Sequence, residues 1–204
     1  LHGFPDSAHT WDLLLPALAD AGYHAVAPFL RGYAPTEVPA DGLYQMGAVA
    51  TDAIALHEAF GGDGDAVLIG HDWGALASYS VAASAPERWR RMVTLAVPPP
   101  ATVTQGFFTY DQLRKSWYMF FFQSPLADMV VPMDDLAFID RLWADWSPGF
   151  EGGAFGTHQE RASLCFAHGR GQVRVGFNHL STAGANVDNG TATGLRLTDG
   201  STVA

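Results

Sequence analysis

The sequence predicts an α/β fold with a mostly parallel sheet, and two observations carry this prediction. Short apolar runs alternate with segments of helical periodicity through the first hundred residues, which is typical of parallel strands joined by helices. The chain also has 204 residues, of which 48% are hydrophobic, so it can bury a sizeable core.

The first elements are a strand end, a loop and a helix. Leu1 is predicted to be the last residue of a strand, and residues 2–7 form the loop that follows. A helix is predicted next, because four apolar residues repeat at helical spacing: Trp11, Leu14, Leu15 and Leu18. Gly22 is predicted to end this helix.

The next stretch is predicted as strand, loop and helix. Residues 24–28 read as a short strand, and residues 30–40 as a loop that contains Gly and Pro. Residues 43–60 have the spacing of an amphipathic helix, and the glycine-rich segment at 61–65 ends it.

A second strand–helix–strand unit follows. Residues 66–70 are continuously apolar, as expected for a strand buried on both faces. Residues 74–85 predict a helix of small residues that Pro86 stops. Residues 92–97 predict the next strand.

The composition changes twice after this unit. Residues 105–150 are rich in aromatic side chains and predict helices at 107–123 and 134–146, which makes this region a candidate lid. The tail after about residue 150 is rich in small polar residues and is predicted to be disordered or to hold only short strands near 173–177 and 195–197.

The motif GHDWG at residues 70–74 carries the strongest chemical signal. It lies between the apolar strand and the small-residue helix, which is the context of a nucleophile elbow. Asp72 stands at the nucleophile position, and a carboxylate can attack carbon to form a covalent ester. The alternative is an ordinary strand-to-helix turn in which Asp72 caps the helix.

The motif HGFP at residues 2–5 follows the first predicted strand, where a loop of this kind supplies one oxyanion-hole N–H. The backbone amides of Phe4 and Trp73 are therefore the predicted oxyanion donors. Taken alone, the same four residues could form any turn before a helix.

Together, HGFP at 2–5, RGY at 31–33, GHDWGA at 70–75 and APER at 85–88 resemble the epoxide hydrolase and haloalkane dehalogenase branch of the α/β-hydrolases. The resemblance covers residues 1–150. It implies an α/β-hydrolase fold, with an eight-stranded, mostly parallel sheet and a helical lid, whose strands before Leu1 are missing here. The implied division is a partial core at 1–104, a lid at 105–150 and an atypical tail at 151–204.

The segment at 117–125 is similar to the lid segment of epoxide hydrolases, in which a Tyr precedes a Phe-Gln-x-Pro element. By this resemblance Tyr118 would donate its phenol O–H to the epoxide oxygen. The alternative is that Tyr118 is one more aromatic residue of an apolar lid. Many dehalogenases have Asn where Phe4 stands, so epoxides are favoured, and a haloalkane or fluoroacetate dehalogenase is the alternative.

The hydrolytic base and its acid are not identified. The tail offers candidates, but none has the strand–loop context of the family: His158, His168, His179, Asp188 and Asp199. His71 belongs to the elbow and is not expected to be the base. We therefore expect that the tail is not the native continuation, through a frame shift or a truncated gene. The other interpretation is an inactive binding protein or fragment.

The predicted substrate is a small apolar epoxide or organohalide, with water as the second reactant and no metal or cofactor. A formal net charge of −10 argues against nucleic acid as a partner. Charged or polar residues interrupt every apolar run, so no membrane span is expected. The single cysteine, Cys165, fits a reducing, cytoplasmic location.

Overall fold

The computed structural model describes residues 1–37, 39–40 and 42–149. In chain order these residues form α1 (Leu14–Asp20), α2 (Met46–Ala59), β1 (Ala66–His71), α3 (Trp73–Ser84), β2 (Trp89–Leu95), α4 (Pro100–Gly106), α5 (Tyr110–Lys115), α6 (Trp117–Phe121), α7 (Leu126–Val130) and α8 (Ala137–Trp146). Three short 3₁₀ helices cover Ala8–Trp11, Pro86–Arg88 and Met133–Leu136.

Strands β1 and β2 are parallel, and α3 connects them. Their register places Leu68 opposite Met92 and His71 opposite Leu95. On the other side of β1, the Leu1 backbone nitrogen donates to the Ile69 carbonyl at 2.6 Å. The Leu1 carbonyl accepts from the His71 N–H at 3.1 Å. This alternation is that of a parallel pair, so Leu1 bonds to β1 as the last residue of a parallel strand would, although the described residues form no strand there.

Most predicted elements of the first hundred residues are present. α1 ends just before Gly22, whose φ of 87° suits glycine. The helices predicted at 43–60 and 74–85 are α2 and α3, and the strand at 66–70 is β1. β2 begins three residues earlier than predicted and has mostly exposed side chains, whereas β1 is partly buried.

The strand predicted at 24–28 is wrong. The residues described there form no strand, because a strand needs a ladder of hydrogen bonds to a neighbour. Just after this segment, the Leu30 N–H donates to a side-chain atom, His2 Nε2, at 3.0 Å.

The single helix predicted at 107–123 is also wrong, since the chain breaks twice there. Thr109 has extended backbone angles and its hydroxyl accepts from the Gln112 N–H, so it starts a new helix, α5. Ser116 leaves the helical region, and its hydroxyl accepts from Gln112 Nε2 at 2.9 Å. Such local side-chain bonds compete with a continuous helix. The helix predicted at 134–146 starts late, as α8, because residues 134–136 have positive φ.

The larger core joins the loop at 2–5 to the helices of the candidate lid. Phe4 and Tyr33 pack in one cluster with Phe122, Ile139 and Leu142. A smaller cluster joins α2 and α3 to β1 through Ala50, Ala53, Leu68 and Val81. The loop that carries one predicted oxyanion donor is therefore held by both the sheet and the later helices.

Within residues 1–37, 39–40 and 42–149, no helix combines the length and the apolar character that crossing a lipid bilayer requires. The same stretches hold no group of three or more His, Cys, Asp or Glu side chains arranged to share a metal ion.

Candidate active site

Asp72 lies at the turn between β1 and α3, with φ 52° and ψ −113°. This positive φ is strained for a residue with a side chain, and such strain persists where the surrounding structure imposes it. The Asp72 N–H donates to the Leu95 carbonyl at 3.2 Å, which ties the turn to the end of β2. The side chain makes no capping hydrogen bond to the second or third N–H of α3, so the interpretation of Asp72 as an ordinary helix cap is not supported.

Glycines at positions 70 and 74 let the turn close. A Cβ at Gly70 would overlap the Gly74 carbonyl and the Ser78 hydroxyl. A Cβ at Gly74 would overlap the Leu1 carbonyl and would lie 2.8 Å from the His2 oxygen. Atoms of α3 lie where a Gly70 Cβ would be, and the backbone of residues 1–2 lies where a Gly74 Cβ would be, so α3 can pack against β1 and against the start of the chain only without them.

The predicted oxyanion donors and the predicted nucleophile lie together. The Phe4 N–H donates to Asp72 Oδ1 at 2.9 Å. The Trp73 N–H also bonds to the Asp72 carboxylate. Gly3 permits this approach, because a Cβ there would lie 2.7 Å from Asp72 Oδ1. One carboxylate oxygen is thus held by the backbone, as an ester carbonyl oxygen would be.

Burial raises the pKa of Asp72 above its usual value of 3.8. The backbone N–H groups of Phe4 and Trp73 and the nearby His71 lower that pKa and so oppose the effect. The Asp6 carboxylate raises it further. The carboxylate is therefore poorly solvated and held by directed donors, which favours its reaction as a nucleophile.

Tyr118 lies on α6, half-buried, above the same loop. Its ring stacks on Phe4 at 6.4 Å between centroids and contacts Trp146 at 4.6 Å. Burial raises the pKa of Tyr118, and the Asp72 carboxylate raises it further. The phenol consequently keeps its proton at neutral pH and can act as a donor near Asp72.

His2 has a structural role that the sequence did not reveal. It is fully buried, its Nδ1–H donates to the Gly3 carbonyl at 3.0 Å, and its Nε2 accepts from the Leu30 N–H at 3.0 Å. These partners fix the tautomer. Burial lowers the pKa of His2 to about 3, so this ring remains neutral and shapes the loop.

Asp6 and Tyr33 were not among the predicted site residues, although both are buried and both interact electrostatically with Asp72. Asp6 is 3% exposed and Tyr33 is 7% exposed. Burial raises the pKa of Tyr33, and the charges of Asp72 and Asp6 raise it further. Their positions in the sequence could have pointed to the site, because Asp6 directly follows the HGFP motif and Tyr33 ends the RGY motif.

Arg31 fixes the loop that carries Tyr33. Its Nη2 donates to Asp52 Oδ1 at 2.6 Å, and its Nη1 donates to the Leu43 carbonyl at 2.6 Å. The guanidinium therefore joins the RGY segment to α2 and to the end of the following loop.

All five histidines of the described residues precede the candidate lid; they are His2, His9, His24, His57 and His71. The tail candidates all lie outside the described residues: His158, His168, His179, Asp188 and Asp199. The short strands predicted at 173–177 and 195–197 lie outside them as well.

Comparison with known proteins gives one family and several relatives. The family model described as alpha/beta hydrolase fold matches residues 1–130. An epoxide hydrolase of Caballeronia sordidicola is 39% identical over 136 residues, which cover 63% of this chain and 40% of the relative. Epoxide hydrolase A of Mycobacterium tuberculosis is 38% identical over 133 residues, covering 62% of this chain and 41% of that protein.

A solved structure agrees at the level of the fold. The Bacillus megaterium epoxide hydrolase, crystallised with an inhibitor, superposes with a TM-score of 0.76 at 23% identity, covering 87% of this chain and 63% of that one. The present chain spans about two fifths of the length of the two curated relatives. The chain belongs to the alpha/beta hydrolase fold family, and within that family it is similar to epoxide hydrolases.

Proposed function

We propose that this chain carries the nucleophilic part of an epoxide hydrolase site and opens epoxides through a covalent ester on Asp72. The observation that carries the proposal is the bond from the Phe4 N–H to Asp72 Oδ1 at 2.9 Å, made at a strained turn. It holds one carboxylate oxygen in place and leaves the other to react.

In the first step, the second carboxylate oxygen of Asp72 attacks an epoxide carbon and the carbon–oxygen bond of the ring breaks. The electron pair moves to the epoxide oxygen, and the Tyr118 O–H supplies the proton that neutralises it. The product is a glycol ester whose carbonyl oxygen, Oδ1, stays against the Phe4 and Trp73 amides. Those amides then stabilise the oxyanion of ester hydrolysis.

The substrate class follows from the surroundings of Asp72. Phe4, Phe122 and Trp146 form a set of ring contacts with Tyr118, which favours a small apolar epoxide. We assign the lid role to residues 105–150 and the core to residues 1–104, with 151–204 as the tail. The single cysteine supports a reducing, cytoplasmic setting for the reaction.

The test is covalent labelling of the whole chain with an aryl epoxide, followed by intact-mass measurement and peptide mapping. We expect one adduct, on Asp72. Folded protein that gains no mass, or gains it elsewhere, would contradict the proposal and leave a binding protein. Parallel incubation with a haloalkane and with fluoroacetate examines the dehalogenase alternative, for which halide release without an epoxide adduct is the signature.

Replacing Tyr118 with Phe is expected to slow adduct formation on the order of a hundredfold, because the opening ring loses its proton donor. The rate is read from the growth of the adduct by mass spectrometry. Tyr110→Phe is the matched control, since Tyr110 lies on α5 and is 79% exposed. Equal rates for the two variants would remove Tyr118 from the proposed chemistry.

A further inference from the structure

Trp146 is the last residue of α8, and no step of the proposed reaction uses it. Its ring lies 4.6 Å from the Tyr118 ring and 6.2 Å from the Phe4 ring, measured between centroids. The Phe4 N–H bonds to Asp72, and Tyr118 is the proposed proton donor. One side chain of α8 therefore contacts both the loop that holds the nucleophile and the residue that protonates the epoxide oxygen.

The Tyr118 ring depends on contacts from outside its own helix. α6 has five residues, and a helix of this length is not stable alone. Phe122 contacts the Tyr118 ring at 6.4 Å, but its N–H donates to the Tyr118 carbonyl, so it belongs to the same turn. Phe4 stacks on Tyr118 at 6.4 Å, and Trp146, at 4.6 Å, is closer. The direction of the phenol is thus set largely by Phe4 and Trp146.

The position of the Trp146 ring is fixed by the core. Spacings of three and four residues put Ile139, Leu142 and Trp146 on one face of α8. Ile139 is fully buried and Leu142 is 4% exposed, and both pack in the cluster that contains Phe4. Trp146 continues this face but is 39% exposed. The body of α8 is therefore anchored, and the ring at its end is presented to Tyr118.

We propose that Trp146 is a positioning residue that holds the Tyr118 ring so that the phenol O–H reaches the epoxide oxygen while Asp72 attacks. This inference rests on the proposed function. Proton transfer requires the donor within hydrogen-bond distance of the oxygen, and a small displacement of a catalytic group lowers the rate steeply. Without Trp146, the Tyr118 ring has a free side and its phenol can turn away from the epoxide.

The experiment measures the rate of adduct formation on the whole chain over a series of aryl epoxide concentrations, by intact mass. We expect Trp146→Ala to lower the limiting rate about tenfold and to change the half-saturating concentration less than about twofold. Trp146→Leu, which keeps apolar bulk without a ring and protects the fold, should slow the reaction similarly. Trp146→Phe should restore most of the rate, because a ring again contacts Tyr118.

A double-mutant cycle separates positioning from general support of the fold. In the Tyr118→Phe background the proton donor is already gone, so Trp146→Ala and Trp146→Leu should slow adduct formation further by less than about twofold. A residue that only stabilised the domain would lower the rate by the same factor in both backgrounds.

Trp117→Ala is the matched control. Trp117 is 44% exposed, and its ring contacts Phe121 on α6 and Phe138 on α8, at 5.8 and 6.2 Å. The variant therefore loses a tryptophan contact between the same two helices, away from the Tyr118 ring. We expect its limiting rate to stay within about twofold of that of the unmodified chain.

Three results would overturn the inference. Trp146→Ala and Trp146→Leu could react at the unmodified rate. They could instead raise the half-saturating concentration at an unchanged limiting rate, which would make Trp146 a substrate contact only. They could also slow both backgrounds equally, or no more than Trp117→Ala does, which would show a packing role. An unmodified chain that forms no adduct refutes the proposed function itself, and the inference with it.

Discussion

Asp72→Asn should abolish covalent labelling, with a loss of at least about a thousandfold in the rate of adduct formation. The amide has nearly the shape of the carboxylate but is a far weaker nucleophile. Intact-mass measurement of the variant beside the unmodified chain checks this. An adduct that persists on the variant would place the nucleophile elsewhere.

The same substitution should leave the folded state at least as stable at pH 7. A carboxyl whose folded pKa is raised gives stability that is fully present below the unfolded value, near 3.8, and is lost as the pH rises through the folded pKa. Ionised Asp72 thus weakens the fold at neutral pH, and Asn removes that charge. Melting temperatures at pH 7 and pH 4 should show the gain of the variant shrinking at the lower pH.

Gly74→Ala should destabilise the protein by about 3 kcal/mol, because overpacking forces the backbone apart. The added Cβ would overlap the Leu1 carbonyl, so α3 would have to move away from the loop at 2–5. Urea unfolding gives the free energy of unfolding.

Gly47→Ala is the control for this substitution. Gly47 lies on α2, where a Cβ would meet nothing within 4 Å, and Ala there should stabilise the helix by about 0.5–1 kcal/mol. If Gly74→Ala is no less stable than Gly47→Ala, crowding at position 74 does not limit the fold.

The sequence predicted those helices and strands that can be recognised from residues close together along the chain. β1 could be recognised from its apolar run, and α3 from its small residues and the proline that follows. The strand at 24–28 could not be judged in this way, because a strand exists only with a partner. The breaks at Thr109 and Ser116 depend on side-chain bonds that helical periodicity does not record.

The candidate site shows the same division. Phe4, Trp73 and Asp72 were predicted from motifs, and the structure brings them within hydrogen-bond reach. Asp6 and Tyr33 carry no motif role of their own. Their importance comes from burial and from charges brought together by the fold, which no spacing along the chain reveals.

The bond between Phe4 and Asp72 joins residues 68 positions apart. A contact of this separation carries a large loop-closure entropy and cannot form as a local event. The reactive geometry is therefore a property of the assembled domain and is lost whenever the loop at 2–5 detaches from β1, even with the elbow intact. Exchange of the Phe4 amide proton with solvent deuterium thus measures how often the site is incomplete.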